Sequence, residues 1–126
     1  MMEACASLMV VDDDEDIREM TKLVLESEGH CVATAADGLE AWQRLEAGES
    51  PSLILLDLMM PRMDAEQFLH ALRASSRASI PVVIMSGHNA ASVKARELDA
   101  NDCLTKPIEL DDLLEMVGRF VRAEAP

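Results

Sequence analysis

The chain has 126 residues, a length that suits one domain with one hydrophobic core. Hydrophobic residues make up 49% of it and the net charge is −13, which predicts a globular protein that nucleic-acid phosphates repel. No apolar run approaches the roughly 20 residues that cross a bilayer, and the N-terminus lacks a secretory signal pattern. We therefore expect a cytoplasmic domain that neither inserts into membranes nor binds nucleic acid directly.

The three cysteines, Cys5, Cys31 and Cys103, are widely separated along the chain. An odd number of cysteines at such spacing favours a reducing compartment over a disulfide framework or a zinc site. The cysteines thus agree with a cytoplasmic location.

Five short apolar runs predict β-strands. The first, third and fourth are apolar throughout, which is typical of strands buried on both faces of a parallel sheet, whereas the second and fifth are weaker. Pro81 would stand at the first position of the fourth strand, where proline is tolerated. The runs are residues 8–11, 31–35, 53–56, 81–85 and 103–105.

Amphipathic patterns between and after these runs predict five helices. Apolar residues recur with helical spacing from Ile17, Leu39, Ala65 and Leu110, and a weaker pattern covers residues 90–98. The pairs Asp37 with Glu40 and Asp64 with Gln67 predict N-caps, and Gly29 and Gly48 predict helix ends.

Strands and helices alternate along the whole chain, and no linker is evident except the last few residues. This order predicts an α/β fold with a parallel sheet, right-handed crossovers and helices on both faces. Ligands of such doubly wound sheets bind beyond the carboxyl ends of the strands.

Polar side chains stand where the predicted strands end. The first strand ends at Asp12 and Asp13, the third at Asp57, the fourth at Ser86 and the fifth at Lys106. We expect these groups to converge at one edge of the sheet. Three neighbouring carboxylates need a cation, and oxygen ligands without histidine or cysteine favour Mg²⁺.

Such a cluster could carry phosphoryl chemistry. A carboxylate beside Mg²⁺ can attack phosphorus and form an aspartyl phosphate, while a lysine and a hydroxyl stabilise the phosphoryl oxygens. Each residue alone has a simpler interpretation. The acidic run at residues 12–16 could begin a helix, Asp57 and Ser86 could belong to turns, and Lys106 could be an exposed lysine.

Three motifs resemble the receiver domain of two-component response regulators, in particular chemotaxis-regulator-like single domains. They are VVDDD at residues 10–14, LLDLMMP at 55–61 and LTKP at 104–107. The resemblance covers about residues 8–121 and implies one receiver domain over residues 1–126. It also implies a five-stranded, flavodoxin-like sheet of order 2-1-3-4-5.

The resemblance implies a phosphorylation-dependent switch rather than a metabolic enzyme. Asp57 would accept a phosphoryl group from a phosphohistidine of a sensor kinase or phosphotransfer protein, and Lys106 and Ser86 would contact it. Asp12, Asp13, Asp57 and the backbone carbonyl of Met59 would hold Mg²⁺. A downstream protein would read the altered surface, and the Lys106–Pro107 bond would be cis.

One departure from the family pattern affects the output. Cys103 stands where the family often has a tyrosine or phenylalanine that changes orientation on activation. We therefore expect the loop after Ser86 and the helix at residues 90–98 to carry most of the change.

Three other functions compete with this one. A phosphatase with an aspartyl nucleophile would need a second aspartate where Met59 stands. An interaction module that has lost phosphorylation would usually lack the acidic pair, the acceptor or the lysine. A nucleotide- or flavin-binding domain would need a glycine-rich loop after the first strand, where Asp12, Asp13 and Asp14 stand.

Overall fold

A computed structural model describes residues 7–58, 62–87 and 100–121 of the chain. These residues form five β-strands and four α-helices. The strands are β1 (Ser7–Val11), β2 (Cys31–Ala35), β3 (Leu53–Asp57), β4 (Val82–Ser86) and β5 (Asp102–Thr105). The helices are α1 (Glu15–Ser27), α2 (Gly38–Glu46), α3 (Ala65–Arg73) and α4 (Leu110–Val121). The helix predicted at residues 90–98 lies outside the described residues.

All five strands are parallel and follow the order β2-β1-β3-β4-β5, which confirms the predicted doubly wound sheet. The fourth strand begins one residue later than predicted. Pro81 lacks the N–H that a strand needs, and its carbonyl accepts a hydrogen bond from Ile54 N at 3.0 Å.

Two hydrophobic cores lie on the two faces of the sheet, because successive strand side chains point to opposite faces. Met9 and Ile54 face α2 and α3, whereas Leu8 and Leu55 face α1 and α4. Strands β3 and β4 are buried along their full length, which explains why their sequences are apolar without alternation.

The helix caps agree with the sequence patterns. The Asp37 side chain accepts a hydrogen bond from Glu40 N at the start of α2, and Asp64 forms a reciprocal capping box with Gln67 on α3. Gly29 and Gly48 follow α1 and α2 with φ of 95° and 109°, a region that favours glycine.

The cysteines correct one expectation. Cys103 is free, but Cys31 is disulfide-bonded, so the interpretation of the cysteines as reduced thiols is wrong at Cys31. The spacing of the cysteines along the sequence did not reveal this bond, because the bond depends on which strands lie side by side. Cys31 begins β2 and is in register with Ser7, the first residue of β1. None of the described helices is long and apolar enough to cross a bilayer.

Candidate functional site

The carboxyl ends of four strands meet at one edge of the sheet. Asp12 follows β1 directly, Asp57 is the last residue of the neighbouring strand β3, and Ser86 is the last residue of β4. Lys106 follows β5 on the far side of β4. Parallel strands that end at the same level thus gather these side chains from distant parts of the sequence.

Three carboxylates lie together at this edge. Asp12, Asp13 and Asp57 each offer an oxygen within 4.8 Å of the other two. Asp12 and Asp57 are buried and Asp13 is exposed, so the cluster opens to solvent on one side. Asp14 N donates a 2.9 Å hydrogen bond to Asp12 Oδ1, which fixes that carboxylate.

Lys106 provides the positive charge that faces the two buried carboxylates. Its Nζ lies 3.0 Å from Asp12 Oδ2 and 3.3 Å from Asp57 Oδ1. Its backbone N–H donates to Ser86 O at 2.7 Å, and the Lys106–Pro107 bond is cis, as the resemblance implies. The ammonium is thus held between the two buried carboxylates of the cluster.

These contacts shift the pKa values of two groups. Burial raises the pKa of Asp57 to about 6, and the charge of Asp12 adds to this effect while Lys106 opposes it. For Lys106 burial disfavours the ammonium, but the hydrogen bond and charge of Asp12 and the charge of Asp57 outweigh burial and raise its pKa. Lys106 is therefore charged at neutral pH, whereas the pKa of Asp57 lies only about one unit below neutral pH.

Of the three remaining residues that the sequence singled out, the structure describes Ser86 and Cys103 but not Met59. Ser86 is buried at the end of β4, in register with Thr105. Met59 lies outside the described residues, so its carbonyl stays a prediction. Cys103 is a half-buried free thiol of β5 whose pKa is raised by burial and by Asp102.

The acidic run after β1 divides between two roles. Asp14 is the N-cap of α1, and Glu15 and Asp16 lie in its first turn, as the helix-start interpretation predicts. Asp12 and Asp13 belong instead to the carboxylate cluster. The helix-start interpretation is therefore confirmed for residues 14–16, whereas the metal role of Asp12 and Asp13 stays a prediction.

Sequence reasoning missed Arg18, a residue of α1 beside the cluster. Its guanidinium donates a 2.9 Å hydrogen bond to the backbone carbonyl of Asp12. Its position four residues after the N-cap Asp14, one helical turn into α1, was the only available signal.

The donor set suits Mg²⁺. It consists of carboxylate oxygens without nitrogen or sulfur ligands, and an exposed side leaves room for the water that Mg²⁺ retains. Asp12, Asp13 and Asp57 would hold the ion. A dication would offset the repulsion among the three carboxylates, which Lys106 alone does not neutralise.

The model of the response regulator receiver domain matches residues 8–118. The chain belongs to this family. The match includes every described residue of the carboxylate cluster, together with Lys106 and Ser86.

Curated relatives and solved structures agree with this assignment. The chain is 37% identical over 120 residues to a "Transcriptional regulatory protein CpxR homolog" of Haemophilus influenzae, with 95% of the chain and 52% of the relative covered. It is 34% identical over 121 residues to the "Response regulator MprA" of Mycobacterium avium, with coverages of 94% and 52%. The chain thus spans about half the length of the curated relatives it matches.

Two solved structures cover nearly the whole receiver fold. The chain is 30% identical to the Vibrio cholerae chemotaxis protein CheY4, with a TM-score of 0.85 over 93% of this chain and 99% of that one. A response regulator from Chloroflexus aurantiacus gives 29% identity and a TM-score of 0.86, with coverages of 95% and 99%. Family membership makes this receiver domain a regulatory domain of two-component signalling.

Proposed function

We propose that the chain is a receiver domain switched by Mg²⁺-dependent phosphorylation of Asp57. The observation that supports it is the cluster itself, in which a buried carboxylate at a strand end faces both an acidic pair and a lysine ammonium. The phosphoryl donor would be a phosphohistidine of a sensor kinase or phosphotransfer protein. Asp57, Lys106 and Ser86 would carry the chemistry, and Asp12, Asp13, Asp57 and the Met59 carbonyl would hold the metal.

Asp57 is the nucleophile of the transfer step. One of its carboxylate oxygens forms a bond to phosphorus while the P–N bond to the donor histidine breaks. The electron pair of that bond stays on the imidazole nitrogen, and an aspartyl phosphate results. Because the pKa of Asp57 is about 6, the attacking carboxylate is mostly ionised at neutral pH and needs no separate base.

The surrounding groups stabilise the charge that the phosphoryl group brings. Bound Mg²⁺ would supply a dication that offsets negative charge on the carboxylates and on the phosphoryl oxygens. Lys106 already lies 3.3 Å from Asp57 and adds a second positive charge there. Ser86 ends the neighbouring strand and offers a hydroxyl to a phosphoryl oxygen.

Two alternatives fit the site less well. A phosphatase would need an acid two residues after the nucleophile, and Met59 has no proton to donate. An interaction module without phosphorylation would not need to keep the acidic pair, Asp57 and Lys106 together. Both alternatives predict no stable aspartyl phosphate.

The first prediction concerns Mg²⁺ and phosphorylation together. Acetyl phosphate with millimolar Mg²⁺ should add the mass of one phosphoryl group to the intact chain, and EDTA should prevent the addition. Mg²⁺ alone should raise the unfolding midpoint, because a ligand at a hundred times its Kd stabilises the fold by about 2.7 kcal/mol. Intact mass spectrometry and thermal unfolding measure the two effects.

Asp13→Ala is the matching variant, because Asp13 is exposed and takes no part in the contacts of Lys106 with Asp12 and Asp57. We expect it to lose most of the stabilisation by Mg²⁺ and most of the phosphorylation. Equal midpoint shifts in wild type and Asp13→Ala would argue against a metal site at these carboxylates.

An apolar groove beside the site suits the phosphodonor. Its volume is about 470 Å³ and it lies between α1, the segment after β5 and α4. Lys106 lines it, so a donor seated there is next to the acceptor. The apolar side chains that line the groove are Ile17, Met20, Val24, Pro107, Ile108, Leu110 and Leu113. We propose that a histidine-bearing helix of the donor buries its apolar face in this groove.

The second prediction tests the groove with two exposed residues of the same helix. Met20 and Leu23 are each 66% exposed, but only Met20 lines the groove. The donor for this test is any phosphohistidine protein that phosphorylates the wild type. Met20→Glu should slow phosphotransfer from this donor by about tenfold, which corresponds to about 1.4 kcal/mol. Leu23→Glu should leave that rate unchanged.

Acetyl phosphate provides the control, because a small donor needs no docking surface. Both variants should react with it at the wild-type rate. An equal slowing of Met20→Glu with acetyl phosphate and with the protein donor would mean that the substitution disturbs the site rather than docking.

The remaining features of the proposal follow from the family. We propose that residues 1–126 make up one receiver domain with its core at about 8–121 and that this domain works in the cytoplasm with its phosphohistidine donor. A downstream protein reads the phosphorylated surface, and the net charge of −13 argues against direct nucleic-acid contact by this domain. In the expected output segment, residues 88–98 lie outside the described residues.

A further inference from the structure

An arginine of α1 spans the turn that carries the acidic pair of the cluster. The Arg18 guanidinium donates a 2.9 Å hydrogen bond to the backbone carbonyl of Asp12, at the end of β1. The Arg18 backbone N–H donates at 2.9 Å to Asp14 O, which is the first helical hydrogen bond of α1. Arg18 is half-buried and thus closes the turn between β1 and α1, in which Asp13 stands.

Every polar atom of Asp12 has a partner among the described residues. Its N–H donates to Ala35 O at 3.1 Å, and its two carboxylate oxygens accept bonds from Asp14 N at 2.9 Å and Lys106 Nζ at 3.0 Å. Its backbone carbonyl accepts the bond from Arg18. Asp12 is fully buried, so a partner that is lost leaves a polar atom without a hydrogen bond.

The bond from Arg18 is the contact of Asp12 that bears on the next residue. A carbonyl and the following N–H belong to one planar peptide unit, so a group that fixes the Asp12 oxygen also fixes the direction in which the chain enters Asp13. Lys106 holds the carboxylates of Asp12 and Asp57 by ion pairs. Asp13 is exposed and has no ion pair with a cation of the described residues. The position of its carboxylate therefore depends on its backbone.

The charge of Arg18 acts in the opposite direction to this hydrogen bond. A guanidinium beside the cluster repels a bound dication, which would weaken metal binding. Water reaches the open side of the cluster, and a solvent-screened charge changes an affinity by about fivefold at most. An outer partner that orients a metal ligand changes metal affinity by about tenfold to a hundredfold. Orientation of the peptide is therefore the larger effect.

We propose that Arg18 is a positioning residue that sets the Mg²⁺ affinity of the carboxylate cluster by fixing the peptide between Asp12 and Asp13. The inference rests on the function proposed for Asp57 and Mg²⁺. Arg18 acts through the Asp12 carbonyl and is not itself a ligand. With this peptide fixed, the metal-free chain already presents the three carboxylates within 4.8 Å of one another, so metal binding needs little reorganisation.

Two substitutions separate the hydrogen bond from the charge. Arg18→Met removes both and keeps an unbranched apolar stem with a high helix propensity. Arg18→Lys keeps the charge and a donor but lacks the planar guanidinium. Lys22→Met is the matched control, because it removes another half-buried cation one turn further along α1. Within the described residues Lys22 makes no hydrogen bond or ion pair with the cluster.

Isothermal titration calorimetry of the 126-residue chain with MgCl₂ measures the dissociation constant of each variant. We expect Arg18→Met to raise this constant about tenfold and Arg18→Lys to raise it by a smaller factor, whereas Lys22→Met should match the wild type. Arg18→Met should also have a lower unfolding midpoint without Mg²⁺, because the buried Asp12 carbonyl loses its partner. A general loss of stability does not alter the dissociation constant of the folded chain.

Phosphorylation by acetyl phosphate gives a second measurement on the same variants. The Mg²⁺ concentration for the half-maximal rate should rise by the same factors as the dissociation constant. The rate at saturating Mg²⁺ should stay at the wild-type value, because Arg18 does not contact the phosphoryl group. A rate that stays low at saturating Mg²⁺ while the dissociation constant is unchanged would overturn the positioning role.

The dissociation constants alone can also overturn the inference. An unchanged constant in Arg18→Met, together with a lower midpoint, would limit Arg18 to a structural role. Tighter binding by Arg18→Met would mean that repulsion between the guanidinium and the dication outweighs positioning. An equal change in Lys22→Met would assign the effect to the charge of α1. A wild type that binds no Mg²⁺ contradicts the proposed function itself, whereas unchanged variants of a Mg²⁺-binding wild type contradict this inference alone.

Discussion

Asp57→Asn should abolish the phosphoryl mass gain from acetyl phosphate while the fold is retained. The amide has the shape of the carboxylate but is no nucleophile, and Asp57, the last residue of β3, is a buried carboxylate 3.3 Å from Lys106 Nζ. Intact mass spectrometry measures the loss of phosphorylation. The fluorescence of Trp42, which packs edge-on against Phe68, checks that α2 and α3 keep their packing.

The same variant should alter stability in the absence of Mg²⁺. The pKa of Asp57 rises from 3.8 to about 6 on folding, so its favourable contribution is complete below pH 3.8 and is lost as the pH rises through 6. A shift of this size corresponds to roughly 3 kcal/mol at neutral pH. Asp57→Asn should therefore be more stable than the wild type at pH 7, and the difference should shrink towards pH 4.

Asp64→Asn is the control for both measurements. Asp64 caps α3 outside the carboxylate cluster, and asparagine caps a helix about as well as aspartate. We expect it to be phosphorylated like the wild type with the same dependence of stability on pH. A full mass gain in Asp57→Asn would identify another acceptor and overturn the proposed role.

The sequence predicted most of the fold because local signals agreed with the topology. The apolar runs at β3 and β4 are buried on both faces, and the caps at Asp37 and Asp64 form as the spacing indicated. Cys31 was misinterpreted because a disulfide depends on which strands pair, and spacing along the chain does not contain that information.

The sequence predicted those site residues that stand directly at the ends of strands. Asp12, Asp57 and Ser86 stand where apolar runs stop, so parallel topology alone brings them to one edge. The contact of Arg18 with Asp12 was not predictable, because it depends on the direction of a long flexible side chain.

Lys106→Met should destabilise the fold at neutral pH without Mg²⁺. Its ammonium is the charge that Asp12 and Asp57 share, and the side chain is 22% exposed. Removing one partner of a fully buried ion pair costs about 3–5 kcal/mol, so we expect roughly 2 kcal/mol at this partly exposed site. Thermal or urea unfolding at pH 7 measures the loss, and Lys22→Met on α1 is the control.

The loss should depend on pH and on the metal in a specific way. Lys106 has a raised pKa, so its stabilising contribution, present while its carboxylate partners are ionised, is lost at high pH only above 10.5. In Lys106→Met the pKa of Asp57 loses the lowering effect of the ammonium, so Asp57 takes up a proton more readily and the deficit should shrink as the pH falls. Millimolar Mg²⁺ should also reduce it, because a dication replaces the missing positive charge.

Phosphorylation of Lys106→Met should nevertheless stay slow when Mg²⁺ restores stability. The metal can offset the charge of the resting carboxylates, but the second cation beside the transferred phosphoryl oxygens is still missing. Loss of one such stabilising group slows the chemical step by about a hundredfold or more. A Lys106→Met chain that reacts with acetyl phosphate at the wild-type rate in saturating Mg²⁺ would limit Lys106 to a structural role, holding Asp12 and Asp57 together before the metal binds.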